Sequence, residues 1–509
     1  MAHHQTASDP RLAWEALFDV GDEPGPLVER LERAVRDAVR TGRVPAGAAL
    51  PASRRLAEAL GVSRWVVTEV YGQLTAEGVL EARSGSATRV AAGVAWASPG
   101  ATATVPAAMP LPAAPSRASF DLAPGVPDLR HVPRDAWLRA AREALAVASR
   151  EDLGAQPWPG HPQARATVAG HLRRARLIAG TDDGVVLTHG ATHGMARAGT
   201  ALVEAGHTHL LVEDPSWQVL HEVARQTGLE TVPVPVDDGG VDVDALVAIA
   251  RRTGARAALL TPAHQFPTGV PLAPERRHRV AAWARDVDGL VIEDDYDAEF
   301  RYDRRPVAAL QRLDPERVLL LGSVSKTLSP AFGTGWMVVP TRWRASMVST
   351  GSSPGTAWTT GAPSVVDQLA FARFVASGAY DRHLRATRTR YRRRRDAVLT
   401  ALSRELPGAR VRGIAAGMHL LLDLPAGAGP APDAADVARE AAARDVAVVD
   451  LRRYQGRPAA RSTTLVLGYG NLADARVDEA VARLAAAVRA TASIRVSSGR
   501  QRPNSASQS

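Results

Sequence analysis

The chain has 509 residues, a formal net charge of +9 and no cysteine, which excludes disulfide bonds and cysteine-ligated metal sites. Hydrophobic residues make up 45% and charged residues 23% of the sequence, the composition of a globular protein with space for two or three domains. It contains neither an apolar leader nor a run of about 18 apolar residues, so we expect a cytoplasmic protein with no membrane partner.

Residues 26–90 predict a small helical module that ends in a hairpin. Apolar residues spaced four apart predict a helix from residue 27 to 40, and two more helices follow, with Ser53 as N-cap of the first and Ser63 as N-cap of the second. Strands at 79–82 and 89–90 enclose a basic turn. This order is typical of a winged helix that binds double-stranded DNA, and a helical protein-binding domain is the alternative.

The predicted DNA contacts follow from positions in such a module. The helix at 63–77 would lie in the major groove with its first turn nearest the bases, while Arg54 and the hairpin turn would meet phosphates. The residues predicted to bind DNA are Ser53, Arg54, Ser63, Arg64, Trp65, Arg83, Ser84, Ser86 and Thr88.

The rest of the chain divides into a linker, one large domain and a tail. Residues 91–119 are rich in alanine and proline and hold no acidic residue, which predicts a flexible linker. Residues 120–490 predict one large domain whose part after residue 400 is a smaller α+β portion. Residues 491–509 are polar and are predicted to form a disordered tail.

Within the large domain, apolar strands alternate with helical segments. Strands are predicted at 185–187, 209–212, 257–260, 289–292 and 318–321. Unbroken apolar strands separated by helices indicate a parallel sheet covered on both faces. Such a sheet binds its ligands at the carboxyl ends of its strands.

Polar segments follow the first three of these strands. The backbone amides of Ala191 and Thr192 open a helix and can bind a phosphate at its positive end. Trp217 offers an aromatic face for stacking on a flat ring, and residues 261–269 form a long polar turn. Each signal is weak alone, and together they favour one ligand site at the sheet edge.

An acidic segment follows the fourth strand. Asp294 is placed to keep a bound pyridine nitrogen protonated, and Tyr296 is placed to hydrogen-bond an oxygen of the same ring. The alternative is an acidic loop that binds a metal ion or nothing, although we predict no metal site.

Lys326, which follows the fifth strand, is the only lysine in the chain. Arginine serves at every other basic position, and the task that a guanidinium cannot perform is attack on a carbonyl to form a Schiff base. We therefore predict that Lys326 is a catalytic, carbonyl-binding lysine. A lysine retained by chance on a surface helix is the alternative.

Two sets of motifs resemble known families. The N-terminal module resembles the GntR-type winged helix through L-P-A-S-R-R-L-A at 50–57, G-V-S-R at 61–64 and Y-G-Q-L-T-A-E-G at 71–78, with Ala87 in place of the second wing glycine. The large domain resembles fold-type-I aminotransferases through T-P-A-H-Q-F-P-T-G, I-E-D-D-Y-D-A-E-F and S-V-S-K-T-L-S-P. The whole chain thus resembles the MocR/GabR-type transcriptional regulators.

The resemblance implies a multidomain protein, with a mostly α winged helix-turn-helix and an α/β aminotransferase-like fold that binds pyridoxal 5'-phosphate and forms a homodimer. Lys326 would form the Schiff base, Asp294 would meet the pyridine nitrogen and Tyr296 the ring oxygen. Trp217 would stack on the ring, and the phosphate would be held by Ala191, Thr192, Ser323 and Ser325.

Three departures from the family pattern suggest weaker cofactor anchoring and no productive catalysis. Gly333 stands where an arginine normally grips the phosphate, and Ala155 stands where a tyrosine normally reaches the partner subunit's phosphate. Val466 occupies the expected place of the arginine that binds the substrate carboxylate, for which Arg412, Arg453 or Arg461 would have to substitute.

Three hypotheses follow. The first is a DNA-binding regulator that binds pyridoxal phosphate and senses it or an amine or amino-acid effector. The second is a regulator whose degenerate aminotransferase-like domain binds no cofactor and serves only for dimerisation. The third is a working aminotransferase fused to a DNA-binding module, and the absence of an arginine at Val466 argues against it.

Overall fold

The computed structural model describes residues 14–18, 20, 25–82, 87–92, 118–154, 158–302, 307–349, 361–426, 430–457 and 459–499. The chain divides into two compact units, Met1–Pro112 and Ala113–Ser509. The predictions made for Arg83, Ser84, Ser86 and Ala155 lie outside the described residues, as do most of the predicted linker and the last ten residues.

The N-terminal unit is a helical module closed by a short hairpin, as predicted. Its described elements are α1 Trp14–Leu17, α2 Leu27–Arg40, α3 Ser53–Leu60, α4 Arg64–Ala76, β1 Leu80–Glu81 and β2 Arg89–Val90. The two strands pair antiparallel. Helices α2, α3 and α4 bury one face each against a shared core that includes Leu31, Val35, Leu56, Val67 and Val70.

The predicted N-cap role is right for Ser63 and wrong for Ser53. The Ser63 hydroxyl accepts a hydrogen bond from the Val66 amide at 3.4 Å, which caps α4. Helix α3 instead begins at Ser53 itself, with Ala52 as N-cap and no side-chain cap. The Ser53 hydroxyl accepts a hydrogen bond from Arg64 Nε at 3.4 Å, so it joins α3 to α4 rather than capping its own helix.

The C-terminal unit alternates strands and helices over most of its length. Its described strands are β3 Phe120–Asp121, β4 Val185–Thr188, β5 His209–Asp214, β6 Glu230–Asp237, β7 Gly240–Val241, β8 Ala257–Leu260, β9 Leu290–Asp295, β10 Val318–Ser323, β11 Gly335–Val338, β12 Arg410–Arg412, β13 His419–Asp423, β14 Val446–Ala447, β15 Val449–Asp450 and β16 Thr464–Gly468. Its described helices are α5 Arg134–Val147, α6 Pro162–Ala175, α7 Ala191–Glu204, α8 Gln218–Gln226, α9 Val243–Thr253, α10 Pro274–Asp286, α11 Arg344–Ser349, α12 Val365–Ala376, α13 Ala379–Glu405, α14 Ala434–Ala442 and α15 Val477–Gly499.

A large sheet with the strand order β4-β11-β10-β9-β8-β5-β6-β7 forms the centre of this unit. The pairs from β10 through β9, β8 and β5 to β6 are parallel. Alternate residues of β5 enter different cores, since Leu210 and Val212 pack in one cluster and Leu211 packs in another. Both faces of the sheet are therefore covered, as the unbroken apolar strands predict.

The five predicted strands run in the same direction, but an additional strand, β11, runs antiparallel between β4 and β10 and makes the sheet mixed. Three backbones meet at the start of β11. A Cβ atom on Gly335 would lie 2.6 Å from the Gly190 Cα and 2.8 Å from the Gly322 carbonyl oxygen, so only glycine fits there. This close approach brings the end of β4 and the end of β10 to the same sheet edge.

The smaller C-terminal portion has a second sheet with the order β12-β13-β16-β15, whose strands all pair antiparallel. Helix α15 continues to Gly499, so the part of the predicted disordered tail before residue 500 is helical instead. No helix among the described residues is long and apolar enough to cross a membrane.

Candidate cofactor site

A cavity of about 420 Å³ opens at the carboxyl edge of the large sheet. The structure brings all eight residues predicted for the cofactor to its wall: Ala191, Thr192, Trp217, Asp294, Tyr296, Ser323, Ser325 and Lys326. They come from the ends of β4, β5, β9 and β10, because parallel strands place their carboxyl ends at one edge. The predicted residues thus form one site.

Lys326 lies in the turn after β10, and hydrogen bonds to two other parts of the fold hold this turn in place. Its ammonium donates a hydrogen bond to the Gly125 carbonyl at 2.5 Å. The next residue is held by α13, since Tyr380 donates its hydroxyl to Thr327 Oγ1 at 2.9 Å and the His383 ring lies 2.8 Å from the Thr327 carbonyl. Gly125 has a φ of +93°, and a Cβ there would lie 3.3 Å from Lys326 Nζ, so glycine leaves room for the ammonium.

Burial lowers the pKa of Lys326 below its ordinary value, and the charges of Asp294 and Asp297 oppose that shift. A lowered pKa increases the fraction of the neutral amine, which is the form that attacks a carbonyl. The environment therefore suits a nucleophilic lysine better than a surface cation.

The pleat of β9 decides which acid faces the cavity. Glu293 and Asp295 face away from it: Glu293 accepts the Leu310 and Gln311 amides at 2.9 Å each, and Asp295 pairs with the buried Arg176 at 2.6 Å. Asp294 lies between them and points to the opposite side. Glu293 and Asp295 thus stabilise the fold on one face of the sheet, while Asp294 faces the cavity on the other.

Asp294 is a buried carboxylate with unused bonding capacity. Its Oδ1 atom has no hydrogen-bond partner among the described residues. Burial and the neighbouring charge of Asp295 raise the pKa of Asp294 to about 7, while Lys326 lowers it. A buried acceptor of this kind is costly unless it meets a donor, and a protonated ring nitrogen is such a donor.

The N-terminus of α7 supplies an anion site. Gly190, with a φ of +125°, precedes the helix and no side chain caps it, so the amides of Ala191 and Thr192 remain available for a ligand oxygen. The hydroxyls of Ser323 and Ser325 lie on the same cavity wall. The arrangement can hold a phosphate group.

Gly333 lies outside the wall of this cavity, in the left-handed conformation with a φ of +52°. A Cβ atom there would meet nothing within 4 Å. The position thus has space for a side chain, but its backbone conformation costs a non-glycine residue about 1–2 kcal/mol.

Sequence reasoning missed a buried cluster behind Tyr296. His264 Nδ1 lies 2.9 Å from Asp297 Oδ2 and 3.1 Å from the Tyr296 hydroxyl oxygen, and the His419 ring lies 5.1 Å from that of His264. His264, Asp297 and His419 place one donor atom each within 4.8 Å, close enough for a metal ion. The hydrogen bonds of His264 to Asp297 and to the Tyr296 hydroxyl fix the Tyr296 ring. Of this cluster, the sequence indicated the turn that contains His264 and the acidic segment that contains Asp297, but not their contact with His419.

Val466 is buried in β16 within an apolar cluster that includes Phe266, Leu421 and Tyr454. The three candidate substitutes for a carboxylate-binding arginine do not line the cavity. Arg412 pairs with Asp423 at 2.8 Å, Arg461 donates to the Ala431 carbonyl at 3.0 Å, and Arg453 is exposed. None of the described cavity-lining residues is an arginine.

The DNA-binding candidates that the structure describes lie at the starts of α3 and α4 and just before β2. Arg54 and Arg64 are exposed, and the Trp65 ring is 65% exposed in the first turn of α4. Arg54 forms a 3.3 Å ion pair with Glu58 that is open to solvent and therefore weak. Thr88 is half-buried, and its carbonyl accepts the Leu50 amide at 2.8 Å, which joins the hairpin to the turn before α3.

Two family models match the chain in the order of its two units. The model described as bacterial regulatory proteins, gntR family, matches residues 27–90. The model described as aminotransferase class I and II matches residues 119–484.

Similar proteins include transcriptional regulators that align with most of this chain. The chain is 32% identical over 459 residues to the HTH-type pyridoxine biosynthesis transcriptional regulator PdxR of Corynebacterium glutamicum, covering 88% of this chain and 93% of that protein. It is 31% identical over 401 residues to the probable rhizopine catabolism regulatory protein MocR of Rhizobium meliloti, covering 76% and 79%.

Solved structures of similar fold are aminotransferases. The multiple substrate aminotransferase of Thermococcus profundus aligns with a TM-score of 0.65 at 24% identity, covering 74% of this chain and 92% of that one. The α-aminoadipate aminotransferase LysN of Thermus thermophilus, complexed with N-(5'-phosphopyridoxyl)-L-leucine, aligns with a TM-score of 0.64 at 25% identity, covering 74% and 93%.

Proposed function

Because the chain belongs to the MocR-type transcriptional regulators, which join a GntR DNA-binding domain to an aminotransferase class I and II domain, we propose that it senses pyridoxal 5'-phosphate through Lys326. The observation that carries this proposal is the convergence of the eight predicted residues on one cavity. The test is an absorbance titration of the purified chain with pyridoxal phosphate, run beside operator-binding measurements on the same samples.

The residues of the cavity fit this cofactor on three counts. The free amides at the start of α7, with Ser323 and Ser325, would hold the phosphate. The unpartnered Asp294 Oδ1 would accept the ring N–H, and Trp217 would stack on the ring. When bound, the cofactor supplies an aldehyde for covalent attachment and a ring that withdraws electrons.

We further propose that the protein acts as a homodimer that presents two winged helices to paired half-sites of an operator. GntR-type regulators bind DNA operators, and two-fold symmetry in a protein matches two-fold symmetry in its site. The buried Val466 supports a regulator rather than a productive aminotransferase, because a substrate carboxylate would meet apolar side chains there.

Substitutions in the first turns of α3 and α4 should separate base reading from phosphate contact. Arg64→Ala should weaken operator binding by about 1–3 kcal/mol and relax sequence preference, because an arginine that reads a guanine is bidentate. Arg54→Ala should weaken binding to operator and random DNA alike, because phosphate contacts carry no sequence information. Electrophoretic shifts with a selected operator and with random DNA measure both effects.

The control for charge is Arg439→Ala, which removes an exposed arginine of α14 in the other unit. If neither Arg64→Ala nor Arg54→Ala differs from this control, the assignment of α3 and α4 to the DNA interface is wrong.

Restoring an arginine at position 333 should tighten cofactor binding. A charge-assisted phosphate contact contributes about 1.5–3 kcal/mol, and the left-handed backbone at Gly333 offsets part of that gain. We expect Gly333→Arg to lower the dissociation constant for pyridoxal phosphate about three- to tenfold, read from the absorbance titration. Gly333→Asn is the matched control, because asparagine tolerates this conformation and adds no charge. Equal affinities for the two variants would contradict the prediction.

A further inference from the structure

One wall of the cavity is not used by the proposed cofactor contacts. It consists of Phe266, Met418, His419 and Tyr454, and we refer to it as the aromatic wall. The Phe266 ring packs edge-on against Tyr454 at 4.8 Å and against His419 at 5.0 Å. All four side chains are at most 9% exposed, so the wall is a packed surface rather than a set of mobile side chains.

The aromatic wall offers a ligand no positive charge. His419 is its one basic member, and burial, together with the nearby His264 and Lys326, holds the pKa of His419 well below its ordinary value, so its ring is neutral. Val466 packs behind Phe266 and Tyr454 in the same apolar cluster. A carboxylate pressed against this wall would lose its water without gaining a partner, which is costly.

Buried acidic side chains line or lie behind the rest of the site. Asp294 lines the cavity and Asp297 lies beside Tyr296. Glu213 lies behind Thr261, from which it accepts a backbone hydrogen bond at 3.0 Å. Burial raises the pKa of Asp294 and of Glu213 to about 7, so these two acids are only partly ionised at neutral pH. Their oxygens accept hydrogen bonds from an ammonium group in either form, and none of the described cavity-lining residues is an arginine that would pair with a carboxylate. Aromatic faces also attract an ammonium group through cation–π contact.

Resting on the proposed function, we propose that the effector is an amine with an apolar body and no carboxylate, which binds with that body against the aromatic wall. The class of ligand follows from the packed rings of Phe266 and Tyr454, the neutral His419 and the absence of an arginine among the described cavity-lining residues. Amino acids with an apolar side chain have the right body but carry a group that the wall disfavours.

The test compares two probes that differ only by a carboxylate, 2-phenylethylamine and L-phenylalanine. Each is titrated calorimetrically into the full chain, with and without pyridoxal phosphate. We expect the amine to bind at least about tenfold more tightly than the amino acid, because one buried unpaired charge costs well over 1.4 kcal/mol. Equal binding, or tighter binding of phenylalanine, would overturn the inference.

A pair of variants then tests the wall itself. Tyr454→Leu should weaken 2-phenylethylamine about tenfold, the upper end of what one aromatic contact contributes, whereas Tyr454→Phe retains the ring and most of the affinity. If the two variants bind the amine equally, the aromatic wall does not hold the ligand and the inference fails.

The two proposals fail separately in these experiments. Absence of the cofactor's visible absorbance band in the wild-type chain would defeat the proposed sensing of pyridoxal phosphate, while the titrations without cofactor still decide whether the cavity prefers the amine. A band with no preference between the two probes would defeat this inference alone.

Discussion

Lys326→Arg is expected to abolish the visible absorbance band that the wild-type chain develops with pyridoxal phosphate. The guanidinium preserves the positive charge beside Asp294 and Asp297 but cannot attack the aldehyde of the cofactor. In the wild type, borohydride should fix one cofactor per chain, and digestion should locate the label on Lys326. The expected effect is a complete loss of label, measured by intact mass.

The single lysine allows the label to be assigned to one residue. With one lysine in 509 residues, only the α-amino group of the N-terminus can compete for the label. Circular dichroism and urea denaturation of Lys326→Arg serve as the folding control, because Lys326 lies in the C-terminal unit and operator binding reports on the other unit. A wild-type chain that shows no band at millimolar cofactor would instead support the cofactor-free dimerisation domain.

Arg394→Leu is expected to lower the free energy of unfolding of the C-terminal unit by about 3–5 kcal/mol. Arg394 is buried on α13, where it pairs with Asp128 and Asp474 at 2.7 Å each and donates to the Tyr469 carbonyl at 3.0 Å. Removing the guanidinium leaves Asp128, whose side chain is 2% exposed, without its buried partner and, among the described residues, paired only with the exposed side chains of Arg130 and His131. Urea denaturation followed by circular dichroism measures the loss.

The neighbouring Arg393→Leu is a matched control. Arg393 binds the same Asp474, but its side chain is 71% exposed, so its loss should cost about 1 kcal/mol or less. Equal losses for the two variants would show that burial does not set the strength of this network.

The effect of Arg394→Leu should depend on pH in a defined direction. Burial raises the pKa of Asp128, but the hydrogen bond and charge of Arg394, together with the hydrogen bond from His131 and the charge of Arg130, keep that pKa below its ordinary value. In the wild type, the stabilisation from this carboxylate is present at neutral pH and is lost as pH falls through the lowered pKa. In the variant, only His131 and Arg130 still oppose the effect of burial, so the pKa of Asp128 should be higher than in the wild type. The difference in stability between the two proteins should therefore shrink as pH falls toward 4, the range about Asp128's ordinary pKa.

The site residues at the strand ends were predictable because the strands have a clear sequence pattern. Runs such as 318–321 are continuously apolar and stop at small or polar residues, which locates the sheet edge within a residue or two. Asp294 rather than Asp295 was predicted to face the ligand. This agrees with the alternation of side chains along β9, because adjacent residues of a strand point to opposite faces of the sheet.

Other features depend on contacts that sequence does not contain. The antiparallel direction of β11 follows from which neighbours it pairs with, and its four residues carry no sign of that direction. The cluster of His264, Asp297 and His419 joins the large sheet to the smaller portion of the fold. Ser53 matches the pattern of an N-cap, but its hydroxyl bonds to an arginine eleven residues further on. In each of these three cases, a contact between different elements of the fold determines the structure, and the local sequence does not reveal that contact.

The position of β11 also sets a length scale for the ligand. Because it lies between β4 and β10, the anion site at the start of α7 and the amine of Lys326 are carried by strands two positions apart. Neighbouring strands lie about 4.8 Å from each other, so the two strands that carry these groups are separated by about 10 Å. Under the proposed function, this strand spacing would separate the groups that hold the phosphate from the amine that attacks the aldehyde carbon of the cofactor. Replacing residues of the cavity wall can change which effector binds, but it leaves that distance intact.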